Sequence, residues 1–192
     1  MRIVLLLSLL GMLVACQQEE GAPTENLLPG PDDGIQSEAY GVKYLFSDSM
    51  RVKARLEADH LIEKQQRKNE EEEDSPTETI FVLDQGVAIF FFTQSSRPSS
   101  QVEANEGFYF EDRGLAELKG NVQLVNQRGE TLETEQLFWD KKNDQIYTDQ
   151  FVRIQTQGKI ITGDSGLVSN TSFTNYEIKG VRGQFEYQEG TY

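Results

Sequence analysis

Leu132-Glu133-Thr134-Glu135-Gln136-Leu137-Phe138-Trp139 is one of four copies of an eight-residue phrase in this chain. The others are Leu-Glu-Ala-Asp-His-Leu-Ile-Glu at 56–63, Val-Glu-Ala-Asn-Glu-Gly-Phe-Tyr at 102–109 and Ile-Thr-Gly-Asp-Ser-Gly-Leu-Val at 161–168. Successive copies start at 56, 102, 132 and 161, which are steps of 46, 30 and 29 residues. A repeat of this period is one supersecondary unit that buries its apolar face by stacking on its neighbours. Each copy changes parity. Leu132 and Thr134 share one face of a strand, while Leu137 and Trp139 follow at an odd offset. Side chains in a strand alternate with period two, so a common inward face requires a bulge near Glu135-Gln136. The same shift separates Val102 and Ala104 from Gly107 and Tyr109, and Ile161 and Gly163 from Gly166 and Val168. A bulge or corner in every copy bends each long strand and wraps two sheets from consecutive hairpins.

The flanking sequence supports an all-β domain. Asn121 to Val125 reads as a strand, Gln127 to Glu130 as a turn and Leu132 to Trp139 as the next strand. Further turns fall at Asp140–Asp144, Gln157–Lys159 and Thr171–Asn175. Strands lie between them at Gln145–Thr156, Ile160–Val168 and Tyr176–Tyr187. Short strands parted by Gly, Asn and Asp at this spacing indicate a sandwich, jelly roll or barrel. Leu61 to Asp74 is charged and rich in helix formers, so a helix could begin there, but it shows no helical apolar stripe and reads rather as a long insertion, at about 64–78, between repeat strands. This insertion explains the long first step.

The N-terminus bounds the compartment. Arg2 precedes a short apolar run from Ile3 to Leu10, too short to cross a hydrocarbon layer of ~30 Å, so residues 1–15 read as a signal peptide. Leu13-Val14-Ala15-Cys16 has the form of a bacterial lipobox, which implies cleavage before Cys16 and lipidation of that residue. The plainer alternative is an ordinary signal peptide followed by a free cysteine. Cys16 is the only cysteine, so no disulfide forms within the chain. Residues 16–39, with Pro23, Pro29 and Pro31, read as a flexible tether, and the domain is expected over 40–192.

The formal charge of −14 repels nucleic acid, and no basic stripe with interleaved aromatics offsets it. No catalytic constellation stands out. His60 is the sole histidine and has no recognisable nucleophile motif around it, so it reads as structural or exposed. One imidazole and no spare thiol argue against a metal, and no cofactor is implied. Asp59, Asn105, Glu135 and Asp164 share one repeat position. They read as polar caps on backbone groups freed at the corners, ahead of a ring of cation ligands or a catalytic carboxylate pair.

The apolar and aromatic residues remain. Phe90-Phe91-Phe92, Phe108-Tyr109-Phe110 and Phe138-Trp139 are consecutive large side chains. Two readings stay open: a filled sandwich core, or an inner groove for acyl chains, in which each buried CH₂ contributes ~0.8 kcal/mol. The repeat register nominates Leu56, Ala58, Leu61, Phe90, Phe92, Val102, Ala104, Tyr109, Leu132, Leu137, Trp139, Ile161 and Val168 as interior lining. Ile178-Lys179-Gly180-Val181 begins another unit, so Tyr176, Ile178, Val181, Phe185 and Tyr187 are expected on an edge strand open to a partner.

Repeats of the form Leu-x-Ala-Asp-x-Leu behind a lipobox resemble the periplasmic lipopolysaccharide-export proteins with an OstA-like domain. Gly114-Leu115-Ala116-Glu117-Leu118-Lys119-Gly120-Asn121-Val122-Gln123-Leu124 is the most specific stretch. With Gly129 to Glu135 and Ile146 to Asp149 it is similar to the LptC family, over roughly Val52 to Phe185. The resemblance implies a twisted, open β-jelly roll built from bent hairpins. It also implies a non-enzymatic role. LptC proteins receive lipopolysaccharide from an inner-membrane ABC transporter and pass it to a periplasmic bridge protein of the same fold. LptC proteins often carry a membrane helix, whereas this chain has a lipobox. The expected location is therefore the periplasm, with Cys16 anchored in a membrane, the inner one favoured. The rival is a structural adaptor lipoprotein with a filled core and no lipid site.

Overall fold

The computed structural model describes residues 35–68, 74–94 and 97–181. Strands β1 (Ile35–Asp48) and β2 (Arg51–Arg67) form a long hairpin. Its turn is Ser49-Met50, with φ of +49° and +62°, the handedness that matches the twist of paired strands. There follow β3 (Thr77–Leu83), β4 (Val87–Phe91), β5 (Ser100–Ala104), β6 (Glu106–Phe110), β7 (Leu115–Asn126) and β8 (Thr131–Asp140). The chain continues through β9 (Gln145–Thr148), β10 (Val152–Thr156), β11 (Lys159–Gly163), β12 (Leu167–Asn170) and β13 (Tyr176–Ile178). Every named pairing is antiparallel.

The pairings sort into two layers that share their longest strands. One layer runs from the second half of β2 through β3, β6, the start of β7, the end of β8, β9 and β12 to β13. The other runs from the first half of β2 through β4, β5, the end of β7, the start of β8 and β10 to β11. The chain passes between layers at corners that lie side by side: Asp84–Gly86, Asn105, Gly120-Asn121, Glu135, Asp149–Phe151 and Asp164–Gly166. The result is the bent-hairpin β-jelly roll that the repeat implies.

The corner in β8 shows how the phrase works. Leu132, Thr134, Leu137 and Trp139 are all buried despite the odd offset between the pairs. Lys119 pairs with Gln136 but Val122 pairs with Thr134, so the extra residue sits across from Glu135, in β7. Gly120 (φ +75°) and Asn121 (φ +49°) take it up in the left-handed region. The expected bulge therefore lies on the facing strand.

Two expectations need correction. The corner carboxylates and Asn105 are exposed, and the freed backbone groups pair with neighbouring corners instead. Gly86 N–H donates to the Asn105 carbonyl at 2.8 Å, Asn105 N–H to Gly120 at 3.0 Å and Asp164 N–H to Gly180 at 3.1 Å. Stacked corners satisfy one another through their backbones. The charged insertion is also shorter than expected. Residues up to Arg67 continue β2, because Ile62 to Arg67 pair with β3 from Val82 to Thr77. Ladder bonds override the weak strand preference of Glu63, Lys64 and Gln65.

Both layers contribute to one core. Leu56, Ile89, Val102, Leu118, Leu124, Leu132, Leu137, Ile146, Ile154 and Leu167 are at most 2% exposed. Burying a side chain of this size contributes about 1.5–3 kcal/mol. Packing is tight: a Cβ at Gly107 would stand 3.1 Å from Leu118 and 3.2 Å from both Leu83 and Val87. The roll is left open at its ends. Among the described residues β1 pairs only with β2, and β13 only with β12.

Candidate functional site

The candidate site is the interior between the layers. Leu56, Ala58, Leu61, Val102, Tyr109, Leu132, Leu137 and Trp139 point into it and are buried, and Ala104 and Ile161 pack against its rim half-buried. Three nominated residues do not face it. Phe90 and Phe92 lie on the outer face, where the Arg55 guanidinium sits 4.5 Å from the Phe90 ring centre and 5.7 Å from that of Phe92. The inward positions of β4 are Val87, Ile89 and Phe91. Three consecutive phenylalanines carry no polar residue to mark the outer face, so their parity is legible only from Val87 and Ile89. Val168 also faces out, and Leu167 takes its place in the core. Between inward residues the corner of the fourth copy, Asp164–Gly166, holds one more residue than the corners of the other three copies, which shifts the register after Gly166 (φ +93°).

An aromatic cluster joins the layers. Trp139 of β8 meets Phe46 of β1 at 5.0 Å and 86°, and Phe91 of β4 at 5.1 Å and 76°. Phe46 also meets Tyr109 of β6 edge-on at 5.0 Å. Edge-to-face pairs of this kind contribute ~0.5–1.5 kcal/mol beyond their buried area. Burial pushes the Tyr109 hydroxyl up to about 12. The Trp139 indole N–H is buried without an acceptor, an uncompensated cost at the centre of the cluster.

The β12–β13 loop, residues 171–175, reads from sequence as an ordinary turn. In the structure it closes one side of the interior. Phe173 is fully buried and stacks on Tyr176 at 4.8 Å. Its φ is +49°, a region that costs a bulky residue roughly 1–2 kcal/mol. Asn170 shapes the loop by accepting the N–H groups of Thr174 at 3.0 Å and Asn175 at 3.2 Å. Three contacts then tie the loop down. The Asn126 amide donates to the Phe173 carbonyl at 2.7 Å, the Ser100 hydroxyl donates to the Thr171 carbonyl, and the Thr171 hydroxyl donates to Asp144 at 2.9 Å. Ser100 and Asn126 are partners on β5 and β7, in the opposite layer. Asp144 and Trp139 also line a cleft of about 460 Å³ between the β1–β2 turn and the β8–β9 turn, with Lys53, Lys141, Lys142, Asp48 and Glu111.

His60 marks the other end. It is buried, and each ring nitrogen lies 2.6 Å from a carboxylate, Nδ1 from Asp84 and Nε2 from Glu38. Tyr40 stacks on the ring at 4.6 Å. The hydrogen bonds to Asp84 and then Glu38 raise the imidazole pKa above its ordinary value, against the opposing effect of burial. The histidine thus ties β1 to β2 and to the corner after β3. Neither repeat nor motif marks this contact. Among the described residues no group of three His, Cys, Asp or Glu side chains is placed to hold a metal ion.

At the proposed docking edge, Tyr176 and Ile178 pack inward against the core, and among the described residues their strand pairs only with β12. Val181 is exposed and bridges Gly163. Phe185, Tyr187 and Cys16 lie outside the described residues.

A family model described as "Lipopolysaccharide-assembly, LptC-related" matches residues 3–186. No curated protein matches the chain.

Proposed function

The chain belongs to the family of LptC-related lipopolysaccharide-assembly proteins, and we propose that it serves there as a periplasmic, lipid-anchored carrier. It accepts lipopolysaccharide from an inner-membrane ABC transporter and passes it along a bridge of β-jelly rolls toward the outer membrane. The family takes part in lipopolysaccharide transport, and its members are periplasmic and associated with the inner membrane. The observation that carries the proposal is the apolar interior, continuous across both layers and lined by Leu56, Val102, Leu132 and Trp139. Such an interior shields acyl chains without a charged clamp or a catalytic group. The mechanism is passive: burial of methylenes holds the lipid, and the free edges recruit neighbours by adding strands. Acylated Cys16 supplies the membrane anchor.

A specific observation favours the rival reading of a structural adaptor. Side chains at most 2% exposed fill the interior, so lipid enters only if some of that packing gives way. Co-elution of lipopolysaccharide with the purified mature chain separates the two. The carrier retains it in proportion to added lipid. The adaptor emerges free of it.

A further inference from the structure

We propose that the β12–β13 loop, residues 171–175, is a removable plug, and that an acyl chain takes the place of the Phe173 ring between the layers. The inference rests on the carrier reading and says where the filled interior opens.

Four features of the loop support it. Phe173 is fully buried at the tip of a surface connection rather than on a strand. Its backbone sits in the left-handed region, so withdrawal relieves strain that a core residue on a strand does not carry. Asn170 holds Thr174 and Asn175 in shape by bonds internal to the connection, so the loop can move as a unit without unfolding. Its ties to the opposite layer are the side chains of Ser100 and Asn126; no ladder between strands has to break there. A third tie, from Thr171 to Asp144, ends at the cleft that Lys53, Lys141 and Lys142 line together with Asp48, Glu111 and Asp144. The place vacated belongs to the same apolar cluster as Trp139, Ile146 and Leu167. Methylenes restore the buried surface that the ring gives up, and a polar ligand does not.

Trp139 is the only tryptophan in the chain, which makes the test direct. The mature chain is titrated with 9,10-dibromostearate, whose bromines quench a tryptophan that the acyl chain reaches. Two variants loosen the plug. Phe173→Ala removes the knob. Ser100→Ala with Thr171→Val removes two of the three ties, the hydroxyls that hold the Thr171 carbonyl and Asp144, and leaves the apolar core and the Asn126 turn intact. A closed plug reduces apparent affinity by the fraction of open molecules, so both variants should quench at probe concentrations lower by roughly fivefold or more. If Phe173→Ala fails to fold, the double variant carries the test. Competition by lipopolysaccharide but not by phosphatidylglycerol identifies the amphiphile; competition by both assigns the site to acyl chains in general. Wild-type and variant midpoints that coincide overturn the plug and leave the carrier standing. Absence of quenching in all three proteins overturns both.

Discussion

Phe46 of β1 and Trp139 of β8 meet edge-on at 5.0 Å, although one belongs to the layer of β4 and the other to the layer of β9. This contact fixes the spacing of the layers at their seam. Trp139→Ala should destabilise the mature chain by about 3–5 kcal/mol, the cost of an aromatic deleted from a packed core. Trp139→Phe should cost much less, because it keeps a ring and removes the N–H that has no acceptor. Urea unfolding followed by circular dichroism measures both. A loss below about 1 kcal/mol for Trp139→Ala would mean that the residue lines an open groove rather than a packed core.

His60 gives the roll a pH dependence of known sign. Its pKa is raised in the folded chain by Asp84 and Glu38. A group of this kind stabilises fully below its unfolded value of about 6.5, and the contribution is lost as pH rises through the folded value. The urea midpoint should fall across that window for the wild type and lose this component in His60→Gln. Protection of the β1 amides near Tyr40, measured against their intrinsic exchange rates, should fall over the same range, since the histidine ties β1 to Asp84. An unchanged pH profile in His60→Gln would exclude the tie.

The C-terminal edge should recruit the next protein of the bridge. Val181 pairs with Gly163 on one side, and among the described residues β13 pairs only with β12. If the strand expected over Tyr176 to Tyr187 is that edge, Gln184→Pro should weaken capture of a jelly-roll partner with modest effect on folding, because edge strands tolerate proline. An unfolded variant, or unchanged partner crosslinking in cells, would place the docking surface elsewhere.

Cys16 should be the anchor. Cys16→Ala should accumulate as an unprocessed precursor without acyl label. A variant that matures and incorporates palmitate as the wild type does would remove the lipoprotein assignment.

The fold was legible because the repeat carries its own geometry. The odd offset from Thr134 to Leu137 required a corner, and a corner in every copy required two layers. The charge of Glu63 to Arg67 concealed that β2 continues, because only the ladder with β3 reveals it. Interior residues were legible where polar neighbours alternate, as at Leu132 and Leu56. They were not legible at Phe90–Phe92, where both faces are apolar, or at Val168, where the corner is one residue longer. Phe173 and His60 could not be found from pattern at all. Each owes its position to partners distant in sequence, Asn126 for the first and Glu38 and Asp84 for the second.

Photocrosslinking in living cells tests the central claim, that lipopolysaccharide passes through the interior of the roll. Leu132 and Glu133 are adjacent on β8, one buried and the other exposed. A photoreactive amino acid at Leu132 should form lipopolysaccharide adducts that disappear when the ABC transporter is depleted, while the same group at Glu133 should form few. Equal labelling at both positions, or none at Leu132 with the transporter present, would contradict the carrier.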